Sequence, residues 1–148
     1  MKKYLSFMAF AMFAVCSLAF VSCGDDDDDE PSSSISDFVG TWSVQRVEGW
    51  GYVVDDSYFE YIQLKSDGSY INVQKDEDEV KGYMVYHGKW NVSGNKLNLK
   101  ISTPSEWSGT TFSYDIIKKE KDKITMSMWE ITSYLIKVSD DTIEKYLK

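Results

Sequence analysis

Histidine occurs once in this 148-residue chain, cysteine and proline twice each, and arginine only at position 46. Each scarcity removes a class of chemistry. The single histidine, His87, has no second imidazole with which to build a hydrolytic metal set, and no glycine-rich phosphate loop accompanies it. Both cysteines, Cys16 and Cys23, fall within the first 23 residues, so the rest of the chain has neither a disulfide nor a thiol nucleophile and must be held by packing. Nucleophilic catalysis lacks its parts. Paired carboxylates occur only in loop clusters without a defined cleft, and the chain reads as non-enzymatic, with no cofactor. Positive charge is also short, since the formal net charge is −8. A nucleic-acid partner needs a basic footprint, and a bare membrane surface is an equally poor match.

The one long apolar run lies at the start. Lys2 and Lys3 precede a stretch from about Leu5 to Val21, and small Ser22 closes it before Cys23. This is the three-part pattern of a secretory signal. The run holds roughly 16 apolar-dominated residues where a membrane span needs about 20, although an uncleaved anchor helix stays open as the alternative. The ending at Ser22-Cys23 resembles a bacterial lipoprotein processing site, which implies that Cys23 becomes the lipid-bearing first residue of the mature chain. Cys16 competes less well, because β-branched Val15 precedes it and no polar segment follows. Asp25 to Asp29 and Glu30 come next. They resemble the acidic export signal of surface lipoproteins from the Bacteroidetes, which implies an outer-membrane, lipid-anchored and surface-exposed protein. Six successive carboxylates also repel one another and form a solvated tether, which Pro31-Ser32-Ser33-Ser34 extends. The expected organisation is therefore residues 1–22 as signal, 23–36 as lipidated cysteine and tether, and 37–148 as one domain. Loss of Lys2 and Lys3 takes the charge from −8 to −10, and the six tether carboxylates account for all but −4 of that.

From Asp37 onward the sequence alternates with period two between turn signals. Strands are expected over Thr41 to Val47, Tyr58 to Lys65, Ser69 to Gln74, Tyr83 to Val92, Lys96 to Ile101, Thr110 to Lys118, Lys123 to Glu130 and Ser133 to Val138. The first should bury Trp42 and Val44. The second and third flank Asp67-Gly68, a pair suited to a tight turn, and Ile62, Leu64, Ile71 and Val73 are expected to share a buried face. Met84, Tyr86, Gly88, Trp90 and Val92 oppose an outer set containing His87. Leu97, Leu99 and Ile101 should point inward, as should Phe112, Tyr114 and Ile116, then Ile124, Met126 and Met128, and finally Tyr134, Ile136 and Val138. Eight successive strands must hide their edges, and an all-β, eight-stranded antiparallel up-and-down barrel does so most simply. An open two-sheet sandwich is the alternative. Ser139 to Lys148 changes to helical spacing, with Ser139 as a cap, and predicts a short helix on the outside of the barrel.

Phe38-Val39-Gly40-Thr41-Trp42 at the first strand resembles the Gly-x-Trp signature of the lipocalins, and Gly88 to Leu97 is similar to the bacterial lipocalin-like domains of Bacteroidetes lipoproteins. The resemblance spans roughly Asp37 to Asp141. It implies a lipocalin-like barrel whose closed end is plugged by Trp42 next to Gly40. In the family an arginine near the last strand covers that tryptophan. Here the only arginine is Arg46 in the first strand, so the role is unfilled or falls to Lys137.

Connection lengths agree with a barrel. Those after the second, fourth and sixth strands are tight, whereas Glu48 to Ser57, Asp76 to Lys81 and Ser102 to Gly109 are long. One end is thus closed by turns and the other is a mouth ringed by loops, with the tether entering at the closed end. The mouth carries Trp50, Tyr52 and Trp107, whose flat rings suit contact with a small apolar or sugar ligand; Trp50 and Trp107 are equally placed to fold down as lids on the core. Asp76 to Glu79 lacks the glycine and spacing of a calcium loop and is expected to bind no metal. Whether the interior is hollow or filled by aromatic rings is left open. A hollow barrel implies a ligand carrier, and a filled one implies a structural module that contacts another envelope protein.

Overall fold

A computed structural model describes residues 34–54 and 59–148. The expected signal segment, the lipidation site Cys23 and the acidic run lie outside the described residues. The helical turn α1 (Ile35–Phe38) starts where the sequence suggested tether. Asp37 accepts the Ser34 N–H at 2.8 Å, and the Asp37 N–H donates to the Ser34 carbonyl at 2.9 Å. This closes the turn and delivers Phe38 into the core, where it is fully buried.

Nine strands follow among the described residues: β1 (Gly40–Gly49), β2 (Tyr52–Val54), β3 (Glu60–Leu64), β4 (Ser69–Lys75), β5 (Tyr83–Ser93), β6 (Lys96–Thr103), β7 (Thr111–Lys119), β8 (Lys123–Met128) and β9 (Ile131–Val138). From β3 to β9 each pairs antiparallel with the next, and β9 returns to pair with β1 from Thr41↔Val138 to Glu48↔Thr132. The sheet has become a closed, eight-stranded, lipocalin-like barrel. The short extra strand β2 folds back on the last residues of β1, from Gly49↔Tyr52 to Val47↔Val54. It takes up the edge of β1 that β3, paired only with Gly40 to Ser43, leaves uncovered.

The inward faces of β5, β6 and β8 follow the alternation in the sequence, and those of β1 and β7 do so up to a bulge, between Val44 and Arg46 and between Ile116 and Lys118, but those of β4 and β9 do not. Ile71 and Val73 point outward, and Tyr70, Asn72 and Gln74 line the interior. The cause is one residue in the turn before β4. Lys65 N–H bonds the Ser69 carbonyl and Gly68, at φ 81°, closes a three-residue loop, so Leu64 pairs with Tyr70 and Ile62 with Asn72. A two-residue turn centred on Asp67-Gly68 would have reversed every side chain of β4. At the other hairpin the chain turns at Trp129 and Glu130, both with left-handed φ (52° and 65°), and not beyond Glu130 as the sequence suggested. Met128 then faces Ile131 across a two-residue loop. Ile131, Ser133 and Leu135 share its inward face, while Tyr134 and Ile136 are half-exposed on the outside.

The outward face of β4 is covered by the C-terminal segment. Ile143 of the short helix α2 (Asp141–Glu144) is fully buried against Ile71 and Val73. Tyr146 stacks on Phe59 at 5.4 Å and meets Tyr83 edge-on at 5.0 Å. Ser139 does not cap this helix through its side chain. Its carbonyl accepts the Thr142 N–H, and the adjacent Asp140 carboxylate accepts the buried Thr41 hydroxyl at 2.8 Å. The predicted outer helix is therefore present, shorter than its sequence pattern, and docked through β1 as well as β4.

Candidate ligand-binding cavity

The two halves of the barrel interior are filled differently. In the closed half Trp42, Ile62, Leu64, Trp90, Leu97, Ile124 and Met126 pack into one core beneath Phe38. Both tryptophans are held by their indole N–H groups: Trp42 Nε1 donates to the Phe38 carbonyl and Trp90 Nε1 to the Lys65 carbonyl, each at 2.8 Å. A bulge between Ile116 and Lys118 shifts the alternation of β7 so that Lys119 turns inward at this end. Its ammonium lies 5.1 Å from the Trp42 ring, and Lys137 lies 5.5 Å from the same ring. The covering role left open by the missing arginine is thus taken by Lys137 together with Lys119, which sequence reasoning missed because no alternation rule anticipates a bulge. Burial pulls the Lys119 ammonium below the ordinary lysine value, Lys137 adds to this, and Asp37 and Asp122 oppose it.

Toward the loop-ringed end the interior opens into a cavity of about 310 Å³. Each of the eight barrel strands contributes to its wall, including Val47 from β1, Phe112 and Tyr114 from β7, and Met128 from β8. The size lies at the lower end of small-molecule sites, which suits one compact ligand. Placement of the wall residues follows from the turns and bulges already described. Tyr70 can lie across the floor because residue 88 is glycine: a Cβ there would stand 2.6 Å from Tyr70 Cε1 and 2.0 Å from the Lys100 carbonyl oxygen.

The polar part of the wall is built on β3 and β4. Asn72 is buried and its Nδ2 donates to Glu60 Oε1 at 2.8 Å and to the Tyr61 carbonyl at 3.2 Å. Three phenols complete it. Burial, with Tyr86 close by, pushes the Tyr70 hydroxyl up to about 12. Burial also raises Tyr114, helped by Glu60 and Tyr70, and raises Tyr86, helped by Asp76, Glu60, Glu106 and Glu79. All three remain neutral hydroxyl groups at ordinary pH, able to donate or accept one bond. Among the described residues no group of histidine, cysteine, aspartate and glutamate is arranged to hold a metal ion.

Of the three aromatic residues assigned to the mouth, Trp107 lines the cavity from a 3₁₀ turn, Ser105–Trp107, and stays 46% exposed. Trp50 is at the tip between β1 and β2 with φ 49°, 64% exposed and outside the cavity wall. Tyr52 starts β2 opposite Gly49. Trp129, which no turn signal marked, is exposed at the β8–β9 hairpin and meets Phe112 edge-on at 6.3 Å. Glu60 was legible in principle, since it shares the alternation of Ile62 and Leu64. Asn72 and Gln74 were hidden by the reversed face of β4.

No protein-family model and no curated protein matches the chain. Among solved structures it is similar to a lipocalin-like protein from Bacteroides uniformis ATCC 8492, at 12% identity and TM-score 0.57, over 69% of this chain and 99% of that one. It is also similar to an uncharacterized protein from Bacteroides eggerthii DSM 20697, at 12% identity and TM-score 0.52, over 68% of this chain and 99% of that one. At such identities the likeness is one of fold. The fold is a lipocalin-like barrel.

Proposed function

We propose that the protein is a non-enzymatic, lipid-anchored binding barrel of the outer membrane, exposed at the cell surface, which takes one small, partly apolar ligand through its open end. The observation that carries this reading is the cavity of about 310 Å³, walled by all eight barrel strands and open toward the loops. Anchoring at Cys23 is supported by the signal-like segment before it and the acidic run after it. The described chain enters the barrel through α1, beside the closed-end core. Trp107 supplies the readout. Titration of tryptophan fluorescence with fatty acids, sterols, haem-like pigments, oligosaccharides and small aromatic compounds should give a saturable change with at least one class. Silence across the panel, with a filled interior in an experimental structure, would remove the reading.

A second reading, docking of another envelope protein at the open end, is favoured by a separate observation. Each of the four connections at that end exposes a large apolar side chain: Trp50 and Val53, Val80, Trp107, and Trp129. A co-purifying envelope protein that is lost when these loops are shortened, with no small-molecule response, would favour it.

A further inference from the structure

The cavity wall is two-sided. Strands β3, β4 and β5 bring Glu60, Tyr70, Asn72, Gln74 and Tyr86 to it, each with a polar group. Strands β1, β6, β8 and β9 line the remainder with Val47, Leu99, Ile101, Met128 and Ile131, and Ser133 is their one polar contribution among the described residues. Tyr114 of β7 lies close enough to Glu60 and Tyr70 for both to raise its pKa, as Tyr86 raises that of Tyr70. The phenols therefore gather toward the polar side. Among the described residues none of the three hydroxyls has a hydrogen-bond partner, yet no buried side-chain nitrogen or oxygen is sealed in without one. The hydroxyls thus open onto space, and for the deeply enclosed Tyr70 and Tyr114 that space is the cavity. A phenol donates well and accepts weakly, because its oxygen lone pair is shared with the ring. Covering such a donor with an apolar surface is costly.

From this placement we infer that the ligand is a compact, uncharged molecule carrying one acceptor oxygen, a carbonyl, on an apolar body about one ring in size. The oxygen accepts from Tyr70 and Tyr114, and the body lies against Leu99, Ile101, Met128 and Ile131. Tyr86 stands nearer the loops, where Asp76, Glu79 and Glu106 act on it. A carboxylate ligand would lose its hydration with no lysine, arginine or histidine among the described wall residues to replace it. An ammonium would meet the phenols only through their weaker, accepting side. The packed core beneath and the volume of about 310 Å³ suit one ring and not a sterol or a long acyl chain.

This inference rests on the cavity being a ligand site, and the experiment tells the two ideas apart. Acetophenone and α-methylstyrene, which differ only by C=O against C=CH2, are titrated by calorimetry beside benzoate and benzylamine. The proteins are the wild type, Tyr70→Phe and Tyr114→Phe. Each variant is expected to weaken acetophenone about three- to tenfold, the worth of one hydrogen bond, and not to weaken α-methylstyrene. Benzoate and benzylamine should bind the wild type less tightly than the ketone does. The infrared carbonyl stretch of bound acetophenone should lie below its position in hexane and move back up in each variant. Should a variant fail to fold, the stretch in the wild type decides alone. Ketone affinity and carbonyl stretch unchanged in both variants, a stretch at the hexane position, or tighter binding of either ion overturns the acceptor class and leaves the cavity as a ligand site. No binding of the four while the wider panel responds also overturns the class alone, and silence in both removes the cavity reading too.

Discussion

Gly40 and Trp42 owe their pairing to a lysine. At Gly40, φ is 134°, and a Cβ would stand 2.5 Å from Lys137 Cε. Glycine therefore both adopts the backbone conformation and leaves the lane along which Lys137 reaches the Trp42 ring. Trp42 itself is completely buried, with its N–H bound to the Phe38 carbonyl and two ammonium groups over its ring. Trp42→Ala should therefore cost about 3–5 kcal/mol, the range for emptying a large buried aromatic site, read as a lowered urea midpoint; a near-neutral result would remove Trp42 from the role of plug. The surface ion pairs carry less. Lys96 with Asp115 at 2.6 Å and Lys118 with Glu120 at 3.1 Å are solvent-exposed, and pairs of this kind contribute about 0–1 kcal/mol.

Among the elements, α2 is only four residues long and has a wide effect. It converts Ile71 and Val73, which the sequence presents as core residues of β4, into the floor of a second cluster on the outside of the barrel. Ile143 is the only fully buried residue that α2 itself supplies to that cluster among the described residues. Ile143→Ala should lower stability by about 2–5 kcal/mol in a urea titration followed by fluorescence, with the ring cluster of Phe59, Tyr61, Tyr83 and Tyr146 loosened. An effect within about 0.5 kcal/mol, the range of ordinary surface changes, would mean that the tail is dispensable. Strands β6 to β8, and β5 from Gly88 onward, were legible because one face is apolar and the other largely polar, as in Gly88-Lys89-Trp90-Asn91. Strands β4 and β9 were not, because both faces carry apolar or aromatic residues and the turn length decides between them. Neither Trp129 nor Glu130 is a residue that favours left-handed φ, so the hairpin they form has no local signature.

For the whole molecule, closure by β1 and β9 leaves one end packed and the other open, and the N-terminal turn joins the packed end. Under the proposed anchoring, Cys23→Ser should leave the barrel folded and release it from the membrane fraction, because acyl chains supply anchor energy at about 0.8 kcal/mol per buried methylene. Retention of this variant in membranes, with an unchanged folded-domain circular dichroism spectrum, would point to the uncleaved helix instead.

Local chemistry in the chain alone was enough for the strand-rich class, the spacing of the turns and the segregation of long loops at one end. These follow from alternation and turn residues, which act over a few positions. Which face of β4 looks inward, that Lys119 joins Lys137 over Trp42, and that Glu60 and three phenols share a cavity were decided by the tertiary structure. A single extra residue in a turn or bulge reverses a strand, and only the register of its partners and the cover that α2 provides determine where that reversal is stable.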